Sequence, residues 1–273
     1  MRNRGEQEFR RLHPHPPHVA CERKEPAVTG YTPHIPPPAP DLWYGTRGPR
    51  DAKIVVVAES WGAEEEARKL PLVGQSGQEF DRMLIEAGLN PATIFFTNCF
   101  AARPPGNEAH RFFETKKSGA SEWRGLHPTP WVRNELLRLS QQLSTISPTL
   151  VIAVGNYSMW ALTDGLSSFG SEPVGDGATV SVPTGISSWR GSMLVSDSTI
   201  CPPEQLVLPI IHPASIMRQW SQRAVTIHDL SSRVPLALRG DWRPNPPPTI
   251  HALPDLALAE RVLSNWLIHA ASG

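Results

Sequence analysis

Ile54–Glu59 reads IVVVAE, and Ser60-Trp61-Gly62 follow it. A short β-branched apolar run without alternation suits a strand buried on both faces, the kind found in parallel sheets covered by helices. Three further runs share this character: Ile94–Cys99 (IFFTNC), Thr149–Gly155 (TLVIAVG) and Leu206–His212 (LVLPIIH). Between them the period changes to that of a helix. Phe80, Met83, Leu84 and Ala87 recur at i, i+3, i+4 and i+7, and Val132, Leu136, Leu139 and Leu143 at spacings of four, three and four. Asn156–Asp164 is a third predicted helix, opened by Gly155 or Asn156. Strands alternating with helices predict an α/β fold: three layers, α/β/α, around a central, mostly parallel four-stranded sheet.

Outward from this core the composition shifts. Residues 1–50 are rich in proline and histidine, with HPHPPH at 13–18 and HIPPPAP at 34–40. Proline this dense blocks helix and sheet, so the segment reads as an extended arm or wrap. His13, His15 and His18 read as part of a solvated tail rather than a metal site, because no second ligand cluster accompanies them. Residues 51–273 form the main domain. Within it, residues 106–127 (GNEAHRFFETKKSGASEWRGLH) and the Gly/Ser-rich 166–189 read as long loops near the sheet's working edge. Residues 240–250 form a proline-rich connector. Leu258, Val262 and Trp266 predict a last helix over 254–271.

Forty per cent of the 273 residues are hydrophobic, enough for a sizeable core. The 26 basic and 26 acidic residues leave a formal net charge of +0, which argues against a strongly basic nucleic-acid coat but not against a local basic patch. With no run of 18 apolar residues, no membrane helix is expected, and the N-terminus lacks the apolar core of a secretory signal. Cys21, Cys99 and Cys201 include no CxxC pair. The reading is a reduced, cytoplasmic monomer.

Ligands of a parallel α/β sheet bind beyond the carboxyl ends of its strands. The first strand ends in Glu59, the second in Asn98 and the last in His212, followed by Pro213-Ala214-Ser215. A carboxylate, an amide and an imidazole therefore converge on one rim. That set suits cleavage of a glycosidic bond: the carboxylate positions water and stabilises a cationic sugar, the amide reads a base edge, and the histidine donates to the departing base. Each residue alone also has a bland reading, as a cap, a turn former or a structural histidine, and Glu64–Glu66 reads as a solvated helix start. Nucleotide use is unsupported, since there is no GxxxxGK loop and no GxGxxG after a strand. A zinc deaminase is disfavoured without an HxE…PCxxC signature.

The order of the motifs resembles the family-4 branch of the uracil-DNA glycosylase superfamily. Ala58-Glu59-Ser60-Trp61-Gly62 and Pro71-Leu72-Val73-Gly74-Gln75-Ser76-Gly77 look like the family's first motif. Thr97-Asn98 with Arg103-Pro104-Pro105-Gly106-Asn107 is similar to its second. Val154-Gly155 with Ala161, Arg190-Gly191, and His212-Pro213-Ala214-Ser215-Ile216-Met217-Arg218 complete a resemblance running from about Lys53 to Arg218. It implies that Glu59 and His212 are catalytic, near the water and the leaving base respectively. It implies that Ser60, Trp61, Leu72 and Asn98 surround the base. DNA contacts would come from Gly74, Gln75, Ser76, Gly77, Arg103, Pro104, Ser215 and Arg218, with Ile216, or else Met217, as the wedge that fills the duplex. The implied partner is DNA, with neither a nucleotide cofactor nor a membrane. No lysine lies in the matched motifs, so no lyase step is expected.

Departures from the family pattern narrow the expectation. Family-4 enzymes usually carry an iron–sulfur cluster on four cysteines. Here Ala102 precedes Arg103, and the predicted helix at 131–143 has no cysteine, so no metal and no cofactor are expected. Leu72 stands where the family has an aromatic ring, and Ser60 and Trp61 replace a glycine and a proline. Losing a ring removes stacking worth about 1–3 kcal/mol and opens volume above the base. A bulky modified pyrimidine fits that change, for example the glucosylated hydroxymethylcytosine of phage DNA, in a setting of anti-phage defence. Phe112, Phe113, Lys116, Lys117, Trp123 and Arg124 of the long loop are candidates to cover its substituent. The alternatives are uracil excision in repair, and a DNA-binding relative without catalysis.

Overall fold

A computed structural model describes residues 32–115, 121–123, 125–163, 173–174, 178–179, 185–196 and 198–243. The helix expected over 254–271, the histidines at 13–18, and Lys116, Lys117 and Arg124 lie outside the described residues. The four predicted strands form as β1 (Ile54–Ser60), β2 (Phe95–Phe100), β3 (Leu150–Val154) and β5 (Leu206–Ile210). They pair in parallel in the order β2-β1-β3-β5, with Val57 opposite Thr97 and Ala153, and Ile152 opposite Leu208. A fifth strand, β4 (Leu194–Val195), adds antiparallel to the outer edge of β5, so the sheet is five-stranded rather than four. Two half-exposed residues carry too little apolar pattern to announce a strand.

Both faces of the sheet are covered, which is why its strands read as continuous apolar runs. On one face lie α3 (Pro130–Ile146), burying Val132, Leu136, Leu139 and Leu143, and α4 (Asn156–Leu162), burying Met159 and Trp160. On the other lie α2 (Gln75–Glu86), burying Phe80, Met83 and Leu84, and α7 (Gln222–Arg239), burying Leu230 and Val234. No predicted helix corresponds to α7. Its apolar stripe is sparse, and Pro235 inside it reads as a breaker. Shorter α-helices among the described residues are α1 (Ala63–Arg68), α5 (Ile186–Trp189) and α6 (Pro213–Arg218).

Residues 32–50 pack along this body. Gln142 donates to the Leu42 carbonyl, and the His34 amide donates to Arg111 at 2.9 Å. Arg47 pairs with Asp81 at 2.8 Å, lies 3.6 Å from the Phe96 ring centroid, and donates to the Pro71 carbonyl at 3.1 Å. The chain order places β2 on one side of β1 and β3 on the other. The connection therefore reverses direction at β1, and a crevice opens past the carboxyl ends of β1 and β3.

Candidate active site

A cavity of about 420 Å³ opens at this reversal point. Glu59, Ser60 and Trp61 line it from the end of β1, and Gly155 and Asn156 from the end of β3. His212, Ala214, Ser215 and Arg218 line it from the segment after β5, Leu72 and Ser76 from the approach to α2, and Asn107 and Ile186 from the surrounding loops. Residues more than 150 positions apart thus meet because their strands end on one edge.

Glu59 is half-buried, and its Oε1 accepts the Tyr157 amide at 3.1 Å. This contact requires glycine at 155. Gly155 has φ +90°, and a Cβ there would sit 2.4 Å from Glu59 Oε1. His212 caps α6, and its Nδ1 accepts the Ala214 amide at 3.2 Å. An accepting Nδ1 assigns the proton to Nε2. Burial, the largest cause, holds the imidazole below the usual histidine range; the negative charge of Glu59 opposes the shift, and the positive charge of Arg218 adds to it. The ring is therefore a neutral donor at neutral pH.

The loop before α2 is braced by a residue that the sequence reading placed on a solvated face. Glu65 is buried, and its carboxylate accepts the amides of Gly62 at 3.2 Å, Val73 at 3.0 Å and Gly74 at 2.8 Å. Charge-assisted bonds to three amides fix both halves of the first motif against each other. The available signal was the spacing Gly62-x-x-Glu65, in which a glutamate three residues into a helix reaches back to its N-cap. Leu72 takes φ +51°, and Gly77 packs so closely that a Cβ would meet the Leu72 carbonyl at 2.0 Å. Gly77 thus shapes the loop by packing. Amides of the first turn of α2 lack intrahelical acceptors, and Ser76 beside them faces the cavity.

Other expected site residues fall elsewhere. Asn98 does not line the open cavity: it is 1% exposed, and its Oδ1 has no hydrogen-bond partner among the described residues. The Asn98 main-chain carbonyl accepts Arg138 Nη2 at 3.0 Å. Gly74 and Gln75 stand at the start of α2, outside the cavity lining. Arg103 holds Asn107 with an Nε–Oδ1 bond of 3.0 Å, so Asn107 reaches the rim where Arg103 and the buried Pro104 do not. Trp61 lines the cavity yet is nearly sealed, packed on Tyr44 at 5.4 Å between centroids.

Ile216 cannot be the wedge: it is 0% exposed, in the core cluster with Leu208, Ile210 and Leu230. Met217, the second candidate, is 43% exposed on the same helix. The long loop's aromatics also turn inward. Phe112 and Phe113 are buried against Phe100, and Trp123 packs edge-on against Trp160 at 5.4 Å. They fill the core beneath the loop and do not cover the cavity.

An iron–sulfur cluster needs four ligands of the thiolate kind, and the chain has three cysteines in all. Cys99 is buried on β2, and neither Ala102 nor α3 supplies a thiolate. The space between Ala101 and α3 instead holds a buried ion pair. Glu135 accepts the Ala101 amide at 2.7 Å and Arg138 Nη2 at 2.9 Å. The residues present do not fit the cluster.

The fold and this rim define a class: a parallel α/β protein with a carboxylate and a neutral histidine facing one cleft at the strand ends. The chain belongs to the uracil DNA glycosylase superfamily, whose family description matches residues 46–231. It is similar to a type-4 uracil-DNA glycosylase of Archaeoglobus fulgidus, 28% identical over 41% of this chain and 47% of the relative. A second, from Thermotoga maritima, is 23% identical over 67% of this chain and 77% of the relative. A third, from Pyrobaculum aerophilum, is 28% identical over 45% and 54%. The match thus spans about half the length of two of these relatives. Among the described residues, no helix is long and apolar enough to cross a membrane.

Proposed function

We propose that this protein is a monofunctional DNA glycosylase that flips a pyrimidine out of DNA and hydrolyses its N-glycosidic bond, leaving an abasic site. One observation carries the reading. Glu59, with one oxygen held by the Tyr157 amide, and His212, with Nδ1 held by the Ala214 amide, line one cavity, in segments that resemble the family's motifs. The free oxygen of Glu59 orients water and stabilises the cationic sugar, while His212 Nε2–H donates to the oxygen of the departing base. A neutral donor is suited to this task, since it stabilises the developing anion without first capturing a proton. The unpartnered Asn98 Oδ1 is the acceptor for a donor on the base edge, once the base reaches beyond the open cavity. Ser76, Ser215 and Arg218 face the incoming phosphates, and Met217 fills the vacated stack.

The substrate we infer is a pyrimidine bulkier than uracil, such as the glucosylated hydroxymethylcytosine of phage DNA, removed in defence. Leu72 lines the wall where the family has a ring. The cavity's 420 Å³ falls in the range of about 300–1,000 Å³ that accommodates drug-sized ligands, more than a bare pyrimidine requires. Uracil excision is the second reading, favoured by the names of the relatives. Oligonucleotides carrying uracil, hydroxymethyluracil, hydroxymethylcytosine or its glucosyl derivative, assayed side by side for alkali-labile sites, separate the two. Efficient release of uracil alone refutes the bulky-pyrimidine reading.

A further inference from the structure

Two large apolar side chains stay exposed within four residues of each other, Met217 at 43% and Trp220 at 59%. In the chain they stand one position before and two positions after Arg218, which lines the cavity together with Ala214 and Ser215. We propose that Trp220 is a stacking platform for an unpaired nucleobase beside the flipped nucleotide, a contact separate from the Met217 wedge. The inference rests on the DNA-binding part of the function proposed above.

Three features build the platform. First, the backbone beneath Trp220 is a hydrogen-bonded turn: the Gln219 amide reaches Ser215 at 3.0 Å, and the Arg223 amide reaches the Trp220 carbonyl at 3.0 Å. Second, the Arg223 guanidinium lies over the indole, 5.3 Å from the ring centroid. Third, Arg223 is itself clamped from α2, by Glu79 at 2.7 Å and by both oxygens of Glu86 at 2.6 and 2.8 Å. One face of the indole therefore rests on a fixed cation, and the ring is oriented before DNA arrives. The residue remains 59% exposed, two positions beyond the cavity-lining Arg218. Every base offers a π-face, so stacking here holds a strand without reading its sequence; the face is free only where a base has lost a stacking neighbour, which an unpaired base does most readily. The platform thus favours single-stranded or locally melted DNA.

The test uses a single-stranded oligonucleotide with a tetrahydrofuran abasic analogue and 2-aminopurine on either side of it in turn. Binding is followed by anisotropy and stacking by 2-aminopurine quenching. Because the analogue carries no base, the result is independent of which base is excised. Wild-type protein should bind and quench the probe. Trp220→Ala should bind roughly tenfold or more weakly and lose the quenching, as expected for one lost stacked base. Trp220→Phe should keep most of both, and Met217→Ala should keep the quenching. Wild-type affinity and quenching in folded Trp220→Ala would overturn the inference. If the alanine variant proves unstable, loss of quenching in Met217→Ala with full quenching in a folded Trp220→Ser would do the same. Failure of the wild-type protein to bind any DNA would overturn the DNA reading itself, and this inference with it.

Discussion

Replacing Gly155 by alanine tests whether catalysis depends on where the Glu59 carboxylate stands. The new Cβ would lie 2.4 Å from Glu59 Oε1 and 2.9 Å from its carboxyl carbon. Ordinary carbon–oxygen contact begins near 3.4 Å, so the carboxylate must retreat by about 1 Å, and a displacement of that size at a reacting group costs roughly a hundredfold in rate. The move also strains the 3.1 Å bond from the Tyr157 amide. Backbone cost is separate: φ +90° with ψ −178° is a conformation that suits glycine, and a side chain there costs about 1–3 kcal/mol. For a domain of this size that is a melting-temperature drop of roughly 2–12 °C. The assay is single-turnover base release at a temperature where the variant is folded, beside thermal unfolding. We expect kcat near one per cent of wild type with DNA affinity retained. A Gly155→Ala protein that melts earlier but cleaves at the wild-type rate would refute the reasoning, because the carboxylate would then have moved without consequence.

Further expectations follow from the same geometry. His212 is held below its usual range by burial, so the active neutral ring should persist as pH falls past about 6.5, the free-histidine value. The acid limb of the rate profile should therefore lie below that value, and His212→Ala should remove its contribution. The sign for stability is the same: the unfolded chain takes up this proton first, so the stability present above pH 6.5 is lost as pH falls through the folded-state value. Urea titrations from pH 8 to pH 5, wild type against variant, check it. Ile216→Ala should cost about 2–4 kcal/mol of stability as a core truncation, whereas Met217→Ala should leave melting unchanged and slow base flipping, read by 2-aminopurine opposite the target. Leu72→Phe should narrow the cavity and shift relative kcat/KM toward uracil by roughly tenfold, near the lower end of what one stacked ring contributes. An unchanged ratio would detach Leu72 from substrate choice.

The parallel core was legible because IVVVAE and its three counterparts are buried on both faces, and burial of that kind leaves an unbroken apolar run. The helical stripes at 80–87 and 132–143 were legible for the complementary reason, since each buries one face. What escaped depended on contacts distant in the chain. Glu65 looks like one of three surface glutamates until Val73 and Gly74 are brought beneath it. Ile216 and Met217 are neighbours on a six-residue helix, too short for a period to say which faces the core. Phe112, Phe113 and Trp123 sit in a polar stretch, and only the fold shows that these aromatics turn inward. Gly155 was noted as a helix start, whereas its closest constraint comes from Glu59, 96 positions earlier.

The most direct measurement is base release by wild-type protein and Glu59→Gln on phage DNA rich in modified cytosine and on uracil-containing DNA, without added metal, with binding recorded in parallel. The account predicts abasic sites from the wild type, their loss by two or more orders of magnitude in Glu59→Gln, and equal DNA affinity for both. Undiminished release by Glu59→Gln, or no release of any base by wild-type protein that binds DNA, would contradict it.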